Sequence, residues 1–163
     1  QIACIVGPSK FSYSDQRLDG YYHALAEAGI ALEETFIVQG DFRIQGGEMA
    51  MQQLLQLPER PTAVFACNDL MAIGAIKTIR QQGLHIPNDI SIVGYDDIYL
   101  TQLLDPPLTT VAQPLSSITQ EAMTLLLRQM NSKTAADSST SSPHDAIEPK
   151  LIMRQSTAPQ EVI

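Results

Sequence analysis

The chain has 163 residues, 44% of them hydrophobic and 17% charged, which suits one compact domain or one lobe of a larger one. With 10 basic and 18 acidic side chains its formal net charge is -8, and a chain this acidic repels polyphosphate rather than gripping nucleic acid by itself. Two cysteines, Cys4 and Cys67, exclude a disulfide-stapled miniprotein. Gly, Pro, Gln or Asp interrupts every apolar run before it reaches membrane-spanning length. The chain opens without Met inside the run Ile2-Ala3-Cys4-Ile5-Val6, which reads as a truncated piece that starts at a strand.

Taken in order, short apolar runs alternate with stretches of helical periodicity. Residues 2–6 end at Gly7-Pro8 and read as a buried strand. From Asp15 onward Leu18, Tyr21 or Tyr22, Leu25 and Ala28 share a helix face, and Gly29 stops that helix. Phe36-Ile37-Val38 is a second strand, and Gly40-Asp41-Phe42 a turn. A helix carrying Met51, Leu54 and Leu55 follows and ends by Pro58; Gly46 and Gly47 weaken its first turns.

Ala63-Val64-Phe65-Ala66 is a third strand, followed by Asn68-Asp69 and a helix with Leu70, Ile73, Ile76 and Ile79, closed by Gly83. Residues 90–93 form a fourth strand that ends at Gly94-Tyr95-Asp96-Asp97. Such alternation with short links predicts an α/β fold: a parallel sheet flanked by helices, with right-handed crossovers. After Asp97 the rhythm breaks. Leu108-Thr109-Thr110-Val111 is a fifth extended segment, and Pro114 leads into a helix over 115–130 with Leu115, Ile118, Ala122, Leu125 and Met130. Residues 131–144 are rich in Ser, Thr and Ala and read as a flexible loop. Leu151-Ile152-Met153 is a last short strand, after which the chain is expected to fray.

Ligands of open parallel sheets bind outside the carboxyl ends of the strands. Asp41-Phe42, Asn68-Asp69, Asp96-Asp97 and Gln113 each lie just past a strand, and Arg17 lies near the start of the helix after the first. On one rim, Arg17, Phe42, Asn68, Asp96 and Gln113 suit a neutral polyhydroxylated ligand. A carboxylate accepts from adjacent hydroxyls, a guanidinium donates as a fork, amides do both, and Phe42 offers a flat apolar face to a sugar ring. Each residue has a plainer use as well. Asn68 and Asp69 suit a helix N-cap, Asp96 and Asp97 a turn, Arg17 a surface ion pair, Phe42 the core, and Gln113 a linker. Their coincidence on one rim favours the ligand.

Other chemistries lack their parts. His23, His85 and His144 show no metal-ligand spacing, and no Walker loop, GxGxxG or GxSxG occurs, so neither metal, cofactor nor enzyme activity is expected. Cys67 has no histidine in a partner position and reads as a small buried hydrophobe.

Val93-Gly94-Tyr95-Asp96-Asp97-Ile98, Pro106-Pro107-Leu108-Thr109-Thr110-Val111 and Gln113-Pro114 together resemble the effector-binding core of the lactose-repressor family of bacterial transcription regulators. Arg17 with Gly20-Tyr21 and Ala24-Leu25, and Ala63-Val64-Phe65 with Asn68-Asp69, Met71-Ala72 and Gly74, extend that resemblance. It runs from Ile2 to about Met130 and resumes at 151–157. Gly40-Asp41-Phe42, Gly46-Gly47 and Leu54-Leu55 look most like the family's ribose-responsive members.

The resemblance implies a periplasmic-binding-protein-like (type I) fold of two α/β lobes around a cleft. Residues 1–113 would be the carboxyl-terminal lobe, and 114–130 a helix that packs in the amino-terminal lobe. Residues 131–148 would be a flexible loop, and 149–163 the last strand and tail. It implies Arg17, Asn68, Asp96 and Gln113 as polar ligand contacts and Phe42 as the aromatic packed on a sugar, ribose by the nearest likeness. It further implies a cytoplasmic homodimer formed through the helix over 69–82 and the stretch 99–104. Operator DNA would be bound only through a headpiece that this chain lacks. The 115–130 helix, without its other lobe, is expected to be covered by a neighbouring chain, displaced or poorly ordered. A transport protein's carboxyl lobe would share the fold and rim; the Pro106–Thr110 run and the Pro87-Asn88-Asp89-Ile90-Ser91 lead-in favour the repressor.

Overall fold

The structure is a computed structural model that describes residues 1–9, 12–131 and 147–159. The Ser-rich loop expected over 131–148 thus lies almost wholly outside the described residues. Six strands make one sheet: β1 (Ile2–Val6), β2 (Ile37–Gln39), β3 (Ala63–Ala66), β4 (Ser91–Asp96), β5 (Thr109–Ala112) and β6 (Lys150–Ile152). Their order is β2-β1-β3-β4-β5-β6. The first five are parallel, and β6 runs antiparallel to β5.

The helices are α1 (Ser12–Glu27), α2 (Ile44–Leu55), α3 (Asp69–Gln81) and α4 (Leu115–Asn131). The chain steps from β1 outward to β2, then back past β1 to β3. With right-handed crossovers, α1 lies on one face and α2 and α3 on the other. The reversal between β1 and β3 is the topological switch point, where such sheets open a crevice.

Burial along the strands follows this layering. Val64 and Ala66 of β3, and Ile92 and Gly94 of β4, are buried, while their neighbours Ala63, Phe65, Ser91 and Val93 are half-buried. The face with two helices is therefore the better covered. The core joins Ile5, Met51, Leu54, Met71, Ile79, Ile92 and Leu108, all 0% exposed. Tyr21 anchors α1 by donating to the Ile2 carbonyl oxygen at 2.8 Å.

The expected elements all form, with shifted ends. α1 starts at Ser12 rather than Asp15, β2 at Ile37 rather than Phe36, and β4 runs on through Asp96. Pairing of Ile37 with Cys4 and of Asp96 with Ala112 sets the two strand limits. A 3-10 turn, Tyr99–Leu103, replaces the fourth crossover helix that strict alternation would demand.

The chain after β6 does not fray at once. Ser156 is fully buried, its backbone carbonyl accepts the Ile92 N–H at 2.8 Å, and the Ala158 N–H donates to Ser91 Oγ at 3.1 Å. Long-range bonding to β4 outweighs the usual freedom of a terminus.

α4 is not packed on its own sheet. None of its described side chains is buried, and Leu115, Met123, Leu127 and Met130 are each more than half exposed.

Candidate functional site

The five candidate residues gather at the carboxyl ends of the strands, on both sides of the β1/β3 switch point. Two groups result. In the first, Arg17 projects from α1 and Asp96 ends β4. Arg17 Nη2 lies 3.5 Å from Asp96 Oδ1, and Gln113, just past β5, donates from Nε2 to that same oxygen at 2.6 Å. Arg17 Nη1 donates to the Cys67 carbonyl oxygen, and the guanidinium carbon stands 3.8 Å from the centre of the Tyr95 ring. A cation stacked on an aromatic face and bonded at its edge is held in one orientation.

The second group is Asn68 with Phe42. Asn68 Oδ1 accepts the Met71 N–H at 2.9 Å, so the plainer reading as N-cap of α3 holds. Its Nδ2 donates to the Phe42 carbonyl oxygen at 3.0 Å, which ties the β2–α2 turn to the end of β3. Asn68 thus does structural work on both atoms and keeps one N–H and one lone pair for anything else.

Phe42 holds a left-handed backbone, φ 64°, and its half-buried ring covers Gly7. A Cβ at Gly7 would fall 1.9 Å from the ring tip, so only glycine lets the ring lie there. The Cys67 carbonyl, bonded to Arg17 and next in chain to Asn68, joins the two groups.

Asp96 is the electrostatic centre. Burial raises its carboxyl above the usual aspartate value, while the Gln113 bond and the Arg17 charge pull it back down. It sits at φ 115°, and Asp97 follows at φ 55°. Successive left-handed residues send the two carboxylates to different neighbours. Asp96 meets Arg17 and Gln113, whereas Asp97 Oδ1 accepts Arg154 Nη2 at 2.6 Å. Asp97 is in the turn that its residue type suits, and it also pairs with Arg154.

Sequence reasoning passed over three participants. Tyr95 was read only as strand-end, although alternation along β4 places it on the α1 face with Val93, under Arg17. Arg154 lay in the expected tail, 57 positions from its partner, with no local signal. Asp69 looked like a cap but is fully buried, as described below.

Below the rim a groove of about 720 Å³ runs between α1 and the sheet, past Tyr21, Ala24, Phe65, Val93 and Val111. It meets the rim at Arg17, Tyr95 and Gln113 and carries Gln16 on α1, while the rest of its lining is mainly apolar, so the polar side chains concentrate at the rim. Among the described residues no group of His, Cys, Asp and Glu could hold a metal, and no helix is long and apolar enough to cross a membrane. Cys67 is fully buried with its sulfur 4.0 Å from that of Cys4, as expected of a small core residue.

A family model described as a periplasmic binding protein-like domain matches residues 1–157. The chain belongs to the periplasmic-binding-protein-like domain family. Among curated relatives of this domain, the HTH-type transcriptional repressor CytR of Escherichia coli (strain K12) is 46% identical over 157 residues, covering 96% of this chain and 45% of that protein. The ribose operon repressor of Haemophilus influenzae is 47% identical over 130 residues, covering 80% of this chain and 39% of that protein. The chain therefore spans less than half the length of these relatives.

A sugar-binding transcriptional regulator of the LacI family from Escherichia coli, solved with phosphate, superposes with a TM-score of 0.85 at 34% identity, covering 97% of this chain and 55% of that one. A regulator CelR–cellobiose complex gives 0.84 at 34% identity, over 95% and 46% of the two chains. These two relatives and these two structural neighbours are described as transcription regulators or repressors, which agrees with the lactose-repressor resemblance. The fold is that of the effector-binding domain in this family.

Proposed function

We propose that this chain is the sugar-sensing part of a bacterial transcriptional repressor of the lactose-repressor family, that its effector is ribose, and that it works in the cytoplasm as a homodimer. The observation that carries the reading is the Asp96 carboxylate at the carboxyl end of β4, bridged to Arg17 of α1. Its oxygen is held by Arg17 and Gln113, and the side chain remains 29% exposed. A carboxylate so placed accepts from two adjacent hydroxyls while Arg17 donates beside it. Phe42 supplies the apolar face for the C–H side of the ring.

Ribose is favoured over other sugars by the 47% identity to a ribose operon repressor, with CytR at 46% over a longer span as the competing likeness. The exposed residues Tyr99, Leu100 and Leu103 beside α3 form the surface on which a second copy would pack. α4 would pack in the other lobe, and DNA would be bound only by a headpiece outside this chain. Effector binding regulates only if it favours one lobe arrangement over another, so the rim carries coupling as well as affinity.

The test is calorimetric titration of the full-length protein with ribose, xylose and arabinose, with Asp96→Ala alongside. Ribose should give saturable heat that the variant loses, while operator binding survives. Absence of ribose binding, or an unchanged affinity in Asp96→Ala, would overturn the assignment.

A further inference from the structure

Asp69 does something that the ligand reading leaves unused. It is the first residue of α3, is 0% exposed, and is not the helix cap, since Asn68 already fills that role. Both of its oxygens are taken from outside its own helix. Thr110 of β5 donates to Oδ1 at 2.6 Å, and the Ile98 N–H donates to Oδ2 at 2.9 Å. A Cβ at Gly94 would fall 2.2 Å from Oδ1, so the carboxylate lies against bare β4 backbone.

The Ile98 N–H is the first backbone donor after Asp96 and Asp97. Those two residues hold the uncommon left-handed conformations that aim one carboxylate at Arg17 and the other at Arg154. Such a pair persists only when its surroundings over-determine it. On the Asp97 side, Arg154 and Thr101 supply that restraint; on the backbone side, Asp69 supplies it.

We infer that Asp69 is a positioning residue for the ligand site: from α3 it pins the Asp96–Asp97 turn and so aims the Asp96 carboxylate. The inference rests on the sugar-sensing reading for its purpose but not for its geometry. A buried carboxylate is costly to keep, and helix capping does not account for this one. The charged groups facing the turn are Arg17 from α1, Asp69 from α3 and Arg154 from the segment after β6; Gln113 and Thr110 are neutral.

The experiment uses carboxyl-labelled aspartate to follow the Asp96 titration by NMR, with Ile98 amide exchange and ribose affinity, in Asp69→Ala, Asp69→Asn and Thr110→Val. Asp69→Ala should speed Ile98 exchange roughly tenfold, the loss of one charge-assisted bond. It should also return Asp96 to the usual aspartate range as the turn relaxes into water, and weaken ribose by about the same factor. Asp69→Asn, which keeps an oxygen for the Ile98 N–H, should restore most of each signal. Thr110→Val should shift them in the Asp69→Ala direction by less, and it decides the question if Asp69→Ala does not fold.

A purely structural Asp69 would lower the unfolding midpoint and expose the Ile98 amide, its direct partner, yet leave the Asp96 titration and the ribose affinity of the folded protein unchanged; that result overturns the inference. If the parent protein fails to bind ribose, the sugar assignment falls, while the Asp96 titration in the Asp69 variants still decides the role of Asp69.

Discussion

Replacing Gly74 by alanine sets helix propensity against packing. Gly74 is inside α3, where alanine is worth about 1 kcal/mol more than glycine. The added Cβ, however, would sit 2.0 Å from the Ile44 carbonyl oxygen and 2.8 Å from the Glu48 nitrogen, both backbone atoms of α2. Backbone cannot swing aside as a side-chain tip can. The contact must open by about 1.5 Å to reach van der Waals separation. α2 and α3 would part along a seam that buries Met51, Leu54, Met71 and Ile79. Overpacking of that kind costs about 3 kcal/mol at the upper end of its usual range, so the net loss should be about 2 kcal/mol. Urea unfolding should show a lower midpoint with an unchanged slope. Gly20, inside α1, is the control: nothing lies within 4 Å of its Cβ position, so Gly20→Ala should gain about 1 kcal/mol from propensity alone. A Gly74→Ala protein as stable as its parent would refute the reasoning.

Two further outcomes are expected. Ser156→Ala removes the bond from Ser156 Oγ to the Ile92 carbonyl oxygen at 2.6 Å and leaves the Thr109 N–H, bonded at 2.8 Å, without its acceptor. The cost should be about 2–3 kcal/mol in urea unfolding, and a loss below about 1 kcal/mol would show that the segment after β6 is not anchored there. Asp96 has a raised folded-state pKa, so the stability it confers is complete below the ordinary aspartate value and is lost as pH rises through the raised one. The stability of the parent relative to Asp96→Asn should therefore fall as pH climbs from about 4 toward neutrality. Urea curves across that range check it, and a gap that widens in the parent's favour with rising pH contradicts it.

Much of this molecule was legible from short-range pattern. Ala63–Ala66 and the start of α3 are found where a short apolar run gives way to Asn68-Asp69, because strand burial and helix capping are local demands. Given alternating strands and helices, topology alone brings strand ends to one side. For that reason the sequence pattern alone puts Arg17, Phe42, Asn68, Asp96 and Gln113 on a common edge.

Long-range contact settled the rest. Gly46 and Gly47 read as weak points of a helix. Gly47 instead lets α2 come so close to α3 that a Cβ would fall 2.1 Å from the Met71 carbonyl oxygen. Arg154 found Asp97, and Asp69 found Thr110 and the Ile98 N–H, across 57, 41 and 29 positions of chain. Periodicity reports which way a side chain faces within its own helix or strand. It carries no record of which distant backbone atom comes within hydrogen-bonding distance once the layers close, and that distance is what makes a buried carboxylate tolerable.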